Sequence, residues 1–226
     1  MKKNKEKKIY RCYHCGEIAK TREHAPPKSF FPPNRRINLT KVPSCEAHNN
    51  DKSHFDDYVF QLIPAVVTKK IQDDVFRYQT NKIAKSLHQM KMGQDAPALI
   101  NQLGKKNKNI KLELVGDRFT YSSDIDYVAL DTFFISLAKA VLFHESKKII
   151  KSENIAIYYH HLIPGSDLSL DSKKLLSSRP DKKNWSGTDR YIFKYHISEL
   201  ENNFLIDMEF YESYEVTVLL KQFAII

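Results

Sequence analysis

The chain has 226 residues, of which 42% are hydrophobic and 28% charged, and these values are typical of a globular protein with a buried core. It has no apolar run of about eighteen residues and no apolar signal segment after its basic N-terminus, so we expect a cytoplasmic protein without a membrane span. The formal net charge of +9 indicates a polyanionic partner, and residues 1–60 carry much of it, with thirteen Lys and Arg against seven Asp and Glu.

The first sixty residues differ in composition from the rest of the chain. They are rich in Pro, Asn, Lys and turn formers, and their apolar residues are too sparse for a hydrophobic core of their own. We therefore divide the chain into an N-terminal module, residues 1–60, and an α+β region of unassigned role, residues 61–226. No low-complexity linker separates them, so we expect the module to pack directly on the larger region.

Helices are predicted on both sides of the expected boundary. Ser53 can cap a helix with apolar residues at helical spacing, and Pro64 kinks or ends that helix. A second helix is expected from about Val66 to Met92, before Gly93. The segment 125–143 is apolar nearly all round, which is typical of a buried central helix.

Strands are predicted mainly in the second half of the chain. A short hairpin is expected around Gly116 and Asp117, and a further strand is expected within 154–163. Three runs of alternating apolar residues predict an antiparallel meander with one face on the core; they lie within 191–197, 204–210 and 214–220. The expected fold class is therefore α+β.

The three cysteines of the chain all lie in the N-terminal module. Cys12 and Cys15 have the C-x-x-C spacing that lets two thiolates reach one zinc ion, and Cys45 and His48 repeat that spacing. Together they would form a closed Cys3His set that stabilises a module poor in apolar residues. The alternatives are ordinary buried cysteines with a surface histidine, or His14 in place of His48 as the fourth ligand.

An acid and a histidine lie between the two halves of this set, in the segment TREHAPPKSFF. Read as a loop, the segment is stiffened by Pro26 and Pro27, which fix the direction in which Glu23 and His24 project. A histidine has the near-neutral pKa that a general base for phosphodiester hydrolysis needs. The alternative is a surface acid beside a histidine that bonds to the backbone.

These motifs resemble a known family. The order C-x-x-C-G, then T-R-E-H-x-P-P-K-S-F-F, then V-P-S-C-x-x-H-N-x-x-K-S over residues 12–57 is similar to the HNH endonucleases of the ββα-metal fold, in the variant folded around a zinc. The resemblance implies a metal-dependent endonuclease that hydrolyses phosphodiester bonds in DNA. Beyond residue 57 the similarity is not diagnostic.

The resemblance also implies roles for individual residues. His24 would act as the general base, and Glu23 and Asn49 would hold the catalytic divalent cation, Mg²⁺ or Mn²⁺. A swap of duties between Asn49 and Asn50 is the main alternative within this assignment. Thr40 stands where the family usually has its middle asparagine, and Asn38 could substitute for that residue.

Basic residues surround the motif and could neutralise phosphates of a nucleic acid, which we expect to be double-stranded DNA, although each could equally be a solvated surface residue. They are Lys28, Arg35, Arg36, Lys41 and Lys52. Two other interpretations stay open. The module could bind nucleic acid without cleaving it, or it could be the nuclease subunit of a multi-protein defence system whose C-terminal region docks a partner such as an ATPase.

Overall fold

The computed structural model describes residues 9–50, 53–66, 72–88, 110–115, 118–123, 125–151, 154–160, 179–201 and 203–221. The helices in these ranges are α1 (Glu46–Asn50), α2 (Ser53–Val66), α3 (Asp73–His88) and α4 (Tyr127–Ser146). The strands are β1 (Thr21–His24), β2 (Lys41–Ser44), β3 (Ile110–Val115), β4 (Arg118–Ser123), β5 (Ile155–Tyr159), β6 (Phe193–Leu200), β7 (Asn203–Phe210) and β8 (Tyr214–Lys221). Their pairings are antiparallel, which confirms the expected mixed α+β class.

The N-terminal part consists of two paired strands followed by α1 and α2. β1 pairs with β2 so that Glu23 lies opposite Val42 and His24 lies opposite Lys41. The acid and histidine pair was expected in a loop, and that expectation is wrong. The segment is a strand as far as His24, because β2 supplies cross-strand partners for its backbone.

α2 begins at Ser53, where the sequence predicts a helix start, and it continues past Pro64 to Val66. The boundary expected after residue 60 therefore falls inside a helix. α3 covers Asp73–His88, within the predicted range, and the described residue before it, Gln72, is not helical. Residues 67–71 and 89–92, where the prediction would extend it, lie outside the described residues.

The hairpin predicted before the central helix is confirmed as β3 and β4. The two strands pair in antiparallel register from Ile110 opposite Ser123 to Val115 opposite Arg118. The turn residues of the prediction, Gly116 and Asp117, lie outside the described residues.

The central helix is α4, as the apolar segment predicts. Asp126 caps its start, with Oδ1 accepting from the amide of Ala129 at 3.0 Å. Lys147 ends it in the left-handed conformation, with φ of 60°. Within the described part of the chain, α4 is the helix long and apolar enough to cross a membrane, but most of it is buried inside the fold, as expected for a core helix.

β5, β8, β7 and β6 form a four-stranded sheet in that order. The predicted meander with one face on the core is confirmed, and β7 buries residues on its other face as well. Phe204, Ile206 and Met208 are buried in the core, and on the other face of β7 Asp207 and Glu209 are only 1% and 2% exposed. These carboxylates contact Arg179 and Lys182, which come from the segment before β6.

One hydrophobic core joins the N-terminal strands and helices to the C-terminal sheet. The buried apolar residues form a continuous cluster that extends from Tyr13 to Leu220. Phe30 lies at its centre, with its ring centroid 5.5 Å from Phe60, 5.6 Å from Phe133 and 5.2 Å from Phe210. The first sixty residues therefore share a core with α4 and β7, in agreement with the expected direct packing.

Candidate functional site

The two cysteine half-motifs meet in space. The ligand atoms of Cys12, Cys15, Cys45 and His48 all lie within 4.8 Å of one another. Cys15 Sγ is 3.9 Å from Cys45 Sγ, and Cys45 Sγ is 3.1 Å from His48 Nδ1. Four ligands at zinc–sulfur distances of about 2.3 Å in a tetrahedron have sulfur atoms about 3.8 Å apart, so this group fits a zinc ion.

Local backbone geometry explains why each half-motif presents two ligands together. In the first half, the amide of Gly16 donates to the carbonyl of Cys12 at 2.9 Å and closes a tight turn. Gly16 has φ of 82°, a left-handed conformation that glycine adopts without steric cost. In the second half, the amide of Asn49 donates to the carbonyl of Cys45 at 3.1 Å, so one helical turn places His48 beside Cys45.

The choice between the two histidines is settled by position. His14 does not contribute to the four-residue group. Its ring instead stacks on the ring of His48, with 4.1 Å between the centroids and 26° between the planes. His48 is therefore the fourth candidate ligand, and His14 packs on it from outside the group.

The thiols influence each other's ionisation. Burial favours the neutral thiol of Cys12, but backbone amides of Cys15, Cys45 and His14 donate to it and bring its pKa below the usual value. Burial and the neighbouring thiols raise the pKa of Cys15 to about 11. Several thiolates at this spacing repel one another, so a bound cation such as Zn²⁺ is what would allow them all to ionise.

Glu23 and His24 lie on opposite faces of β1, because side chains alternate along a strand. Glu23 is 6% exposed, and its Oε1 accepts a hydrogen bond of 2.7 Å from the hydroxyl of Tyr13. His24 is half-buried on the face that also carries Arg22 and the cross-strand partner Lys41, both of which are exposed. The acid therefore belongs to the interior of the module, and the histidine belongs to its basic surface.

Burial and positive charge together favour the neutral imidazole of His24. Burial lowers its pKa first, and the cations of Lys41, Lys28 and Arg36 lower it further. A histidine with its pKa below the usual value is neutral at pH 7 and has a nitrogen lone pair that can accept a proton. The same three cations make this surface suitable for a phosphate group.

The residues assigned to the other motif positions occupy different settings. Asn49 is half-buried in α1, which contacts β1, and Asn50 is exposed at the end of the same helix. The carbonyl of Thr40 accepts from the amide of Ala25 at 3.0 Å, next to His24. Asn38 is exposed, and its carbonyl accepts from the hydroxyl of Thr188 at 3.1 Å.

The basic residues of the predicted phosphate surface fall into two groups. Lys28, Arg36 and Lys41 are exposed around His24. Arg36 donates only to neutral groups, the carbonyl of Phe31 and the hydroxyl of Tyr78, whereas the charge of Arg35 is neutralised by Asp74 at 2.7 Å and Asp189 at 3.2 Å, so we leave Arg35 out of the phosphate-binding set. Lys52, also predicted to bind phosphate, lies outside the described residues.

Two residues of this site were missed by sequence reasoning. Tyr13 holds Glu23, and no sequence pattern predicts a contact between a residue of the cysteine turn and a residue ten positions later. Arg22 shares the face of His24 and has its guanidinium 5.1 Å from the centroid of the Tyr10 ring. Alternation along a strand would have revealed Arg22 had this segment been predicted as a strand.

The chain was also compared with known proteins. No protein-family model matches it, and no curated protein and no solved structure gives a significant match. The Cys3His group and the placement of Glu23 and His24 therefore carry the functional interpretation.

Proposed function

We propose that the chain is a metal-dependent endonuclease of the HNH type that hydrolyses phosphodiester bonds in DNA. The observation that carries this proposal is the arrangement of the N-terminal elements. Two strands and a following helix come together around a Cys3His group, with Glu23 buried and His24 on a basic surface. The same order of elements and residues is what the resemblance to HNH endonucleases implies.

In this proposal His24 takes a proton from the water that attacks the scissile phosphate. Lys28, Arg36 and Lys41 bind the negative charge of the nucleic-acid backbone around it. The strand pairing places Lys41 directly opposite His24, and Lys28 and Arg36 lie in the segment that joins the two strands, close enough to influence the pKa of His24. A phosphate bound by the cations would thus lie close to the imidazole.

The donor atoms of the chain fit two kinds of metal ion. The thiolates and imidazole of the Cys3His group suit zinc, and four protein ligands leave no open position, so this ion would be structural. The carboxylate of Glu23 and the side-chain amide of Asn49 offer oxygen atoms, which suit Mg²⁺ or Mn²⁺. When bound, such a cation supplies neutralisation of charge at the scissile phosphate.

A second function is favoured by one residue. Thr40 occupies the position where the family usually has an asparagine that orients the base. A zinc-stabilised module that binds nucleic acid without cleaving it would tolerate this change. The two functions predict the same binding but differ in cleavage.

The test is an assay of supercoiled plasmid DNA and of a structured RNA with Mg²⁺, with Mn²⁺ and with a chelator. We expect the wild-type chain to cleave DNA only with a divalent cation, and His24→Ala to reduce the rate by about 10²- to 10⁴-fold, the usual contribution of a general base. His144→Ala is the matched control, because His144 lies in the last turn of α4 and should leave the rate unchanged. Undiminished cleavage by His24→Ala would contradict the role of His24, and binding without cleavage by the wild-type chain would favour the second function.

A further inference from the structure

Tyr13 connects the cysteine turn to both strands of the N-terminal hairpin. It lies between the candidate zinc ligands Cys12 and Cys15 and is 1% exposed. Its amide donates to the carbonyl of Pro43 in β2 at 3.0 Å, and its hydroxyl donates to Oε1 of Glu23 in β1 at 2.7 Å. Tyr13 thus contacts β2 through its backbone and contacts Glu23, the predicted ligand of the divalent cation, through its side chain.

The bond between Tyr13 and Glu23 is of a strong kind. Hydrogen bonds from a hydroxyl to a carboxylate are short and about twice as strong as bonds between neutral groups, and both partners here are buried. A buried aromatic ring has few ways to move, so its hydroxyl is held at a fixed point by the packing of the ring. The carboxylate of Glu23 consequently has one of its oxygens held in place.

We propose that Tyr13 is a positioning residue for Glu23, whose carboxylate it holds in the orientation that binds the catalytic divalent cation. This inference rests on the proposed function, in which Glu23 is a ligand of that cation. It adds a physical link between the two metal sites. The turn that carries Cys12 and Cys15 also carries the hydroxyl that orients Glu23, so the zinc ion would fix the second site through Tyr13.

A different role for Tyr13 would be packing alone. The ring belongs to the hydrophobic core, and a purely structural residue would affect stability and zinc content but not the affinity for a second metal ion. A positioning residue has the opposite signature. Removing only its hydroxyl should weaken the binding of the second cation and slow cleavage, while the ring continues to fill the core.

The experiment compares Tyr13→Phe with the wild-type chain, both in full length and loaded with zinc. Binding of Mn²⁺ is followed by the electron paramagnetic resonance signal of the free ion, and cleavage is followed on plasmid DNA. We expect the Mn²⁺ concentration for half-maximal binding to rise and the cleavage rate to fall, each by about ten- to a hundredfold, as is usual when the partner of a metal ligand is removed. Zinc content should stay at about one equivalent.

Two further variants test whether the effect is specific to Tyr13 and whether it acts through Glu23. Tyr10→Phe is the matched control, because Tyr10 is 42% exposed and its ring, which lies near Arg22, is retained. It should change neither Mn²⁺ binding nor cleavage. In a chain that already carries Glu23→Gln, Tyr13→Phe should add little to the loss of Mn²⁺ affinity, because a residue that acts through Glu23 has no separate effect once the carboxylate is gone.

The outcomes separate this inference from the proposed function. If the wild-type chain cleaves DNA and Tyr13→Phe binds Mn²⁺ and cleaves equally well, the role of Tyr13 is overturned and the proposed function stands. Loss of zinc in Tyr13→Phe would also overturn it, because Tyr13 would then support the zinc group rather than Glu23. A wild-type chain that binds Mn²⁺ weakly and cleaves no nucleic acid would overturn both.

Discussion

Glu23 and His24 are neighbours in the chain, but their side chains lie on opposite faces of β1. The period of two along β1 turns the carboxylate into the interior, where Tyr13 binds it, and turns the imidazole towards Lys41 on the surface. One residue can therefore contribute to a metal site while the next meets a substrate. In the proposed mechanism both residues act on one phosphate, so a change at either position should slow cleavage, but only a change at Glu23 should weaken binding of the divalent cation.

The assignment of the zinc ligands can be tested by substituting each of the two stacked histidines, His14 and His48. His48→Ala removes one of the four candidate ligands, so we expect zinc content to fall well below one equivalent. The free energy of unfolding should fall by about 4 kcal/mol, because loss of a structural metal is among the largest single-residue effects. Metal analysis by mass spectrometry and urea unfolding measure the two quantities.

The control for this experiment is His14→Ala. His14 stacks on His48 but does not belong to the ligand group, so this variant should keep about one equivalent of zinc. Zinc retained by His48→Ala and lost from His14→Ala would reverse the assignment of the fourth ligand.

For individual residues, the sequence predicts the ligands that local spacing brings together, but it does not predict partners that only the tertiary fold brings together. The half-motifs Cys12-x-x-Cys15 and Cys45-x-x-His48 are each local, and the structure brings the two together as the spacing implies. Arg35 was predicted to bind phosphate, but its partners Asp74 and Asp189 lie 39 and 154 positions away. No local sequence pattern predicts such distant partners. An arginine that forms ion pairs within the fold therefore cannot be distinguished by sequence from one that is open to a ligand.

Among the elements, β7 is unusual because it buries charge on the face away from the core. Oε2 of Glu209 is 2.9 Å from Nζ of Lys194, and Oε1 of Glu209 is 3.0 Å from Nζ of Lys182. Lys194 is 8% exposed, so its ammonium group depends on this carboxylate for compensation. Lys194 belongs to β6, whereas Lys182 links the segment before β6 to the sheet through an ion pair in which the carboxylate is buried and the lysine side chain is 38% exposed.

Removal of one partner of this network should be costly. We expect Glu209→Ala to lower the free energy of unfolding by about 3 kcal/mol, because it takes the carboxylate away from a buried ammonium group. Glu199→Ala is the matched control, because Glu199 pairs with Lys148 at 2.9 Å but its side chain is 58% exposed. Its loss should cost less than about 1 kcal/mol. Equal effects of the two variants in urea unfolding would contradict a special role for the buried pair.

The helices and strands differ in how well they can be predicted from the sequence. α4 and the strands of the meander have long, regular apolar patterns, and they were predicted with only small errors at their ends. β1 has four residues and α1 has five, which is too few to show a period. These short elements depend on their neighbours for stability, and they are the ones that carry Glu23, His24 and His48. The parts of the chain nearest the candidate chemistry were therefore the hardest to predict.

On the scale of the whole molecule, the continuous core makes the N-terminal module depend on the C-terminal sheet. Phe30, which follows the predicted catalytic strand, packs against Phe133 of α4 and Phe210 of β7. The Cys3His group is built from residues 12–48, and Trp185, the single tryptophan of the chain, is buried and stacks on His196 of β6. Zinc and tryptophan can thus report separately on the two ends of the chain.

A shared core predicts that both ends unfold together. In urea, at a fixed concentration of free zinc, release of zinc to a chromogenic chelator and the fluorescence of Trp185 should have the same midpoint. Phe30→Ala should lower both midpoints together, at a cost of about 3 to 5 kcal/mol for a large aromatic side chain removed from a core. Ile37→Ala should move neither midpoint by more than about 0.5 kcal/mol, because Ile37 is 68% exposed. Zinc release at clearly lower urea than the change in fluorescence would show that residues 1–60 unfold independently, and the module would then be a domain of its own.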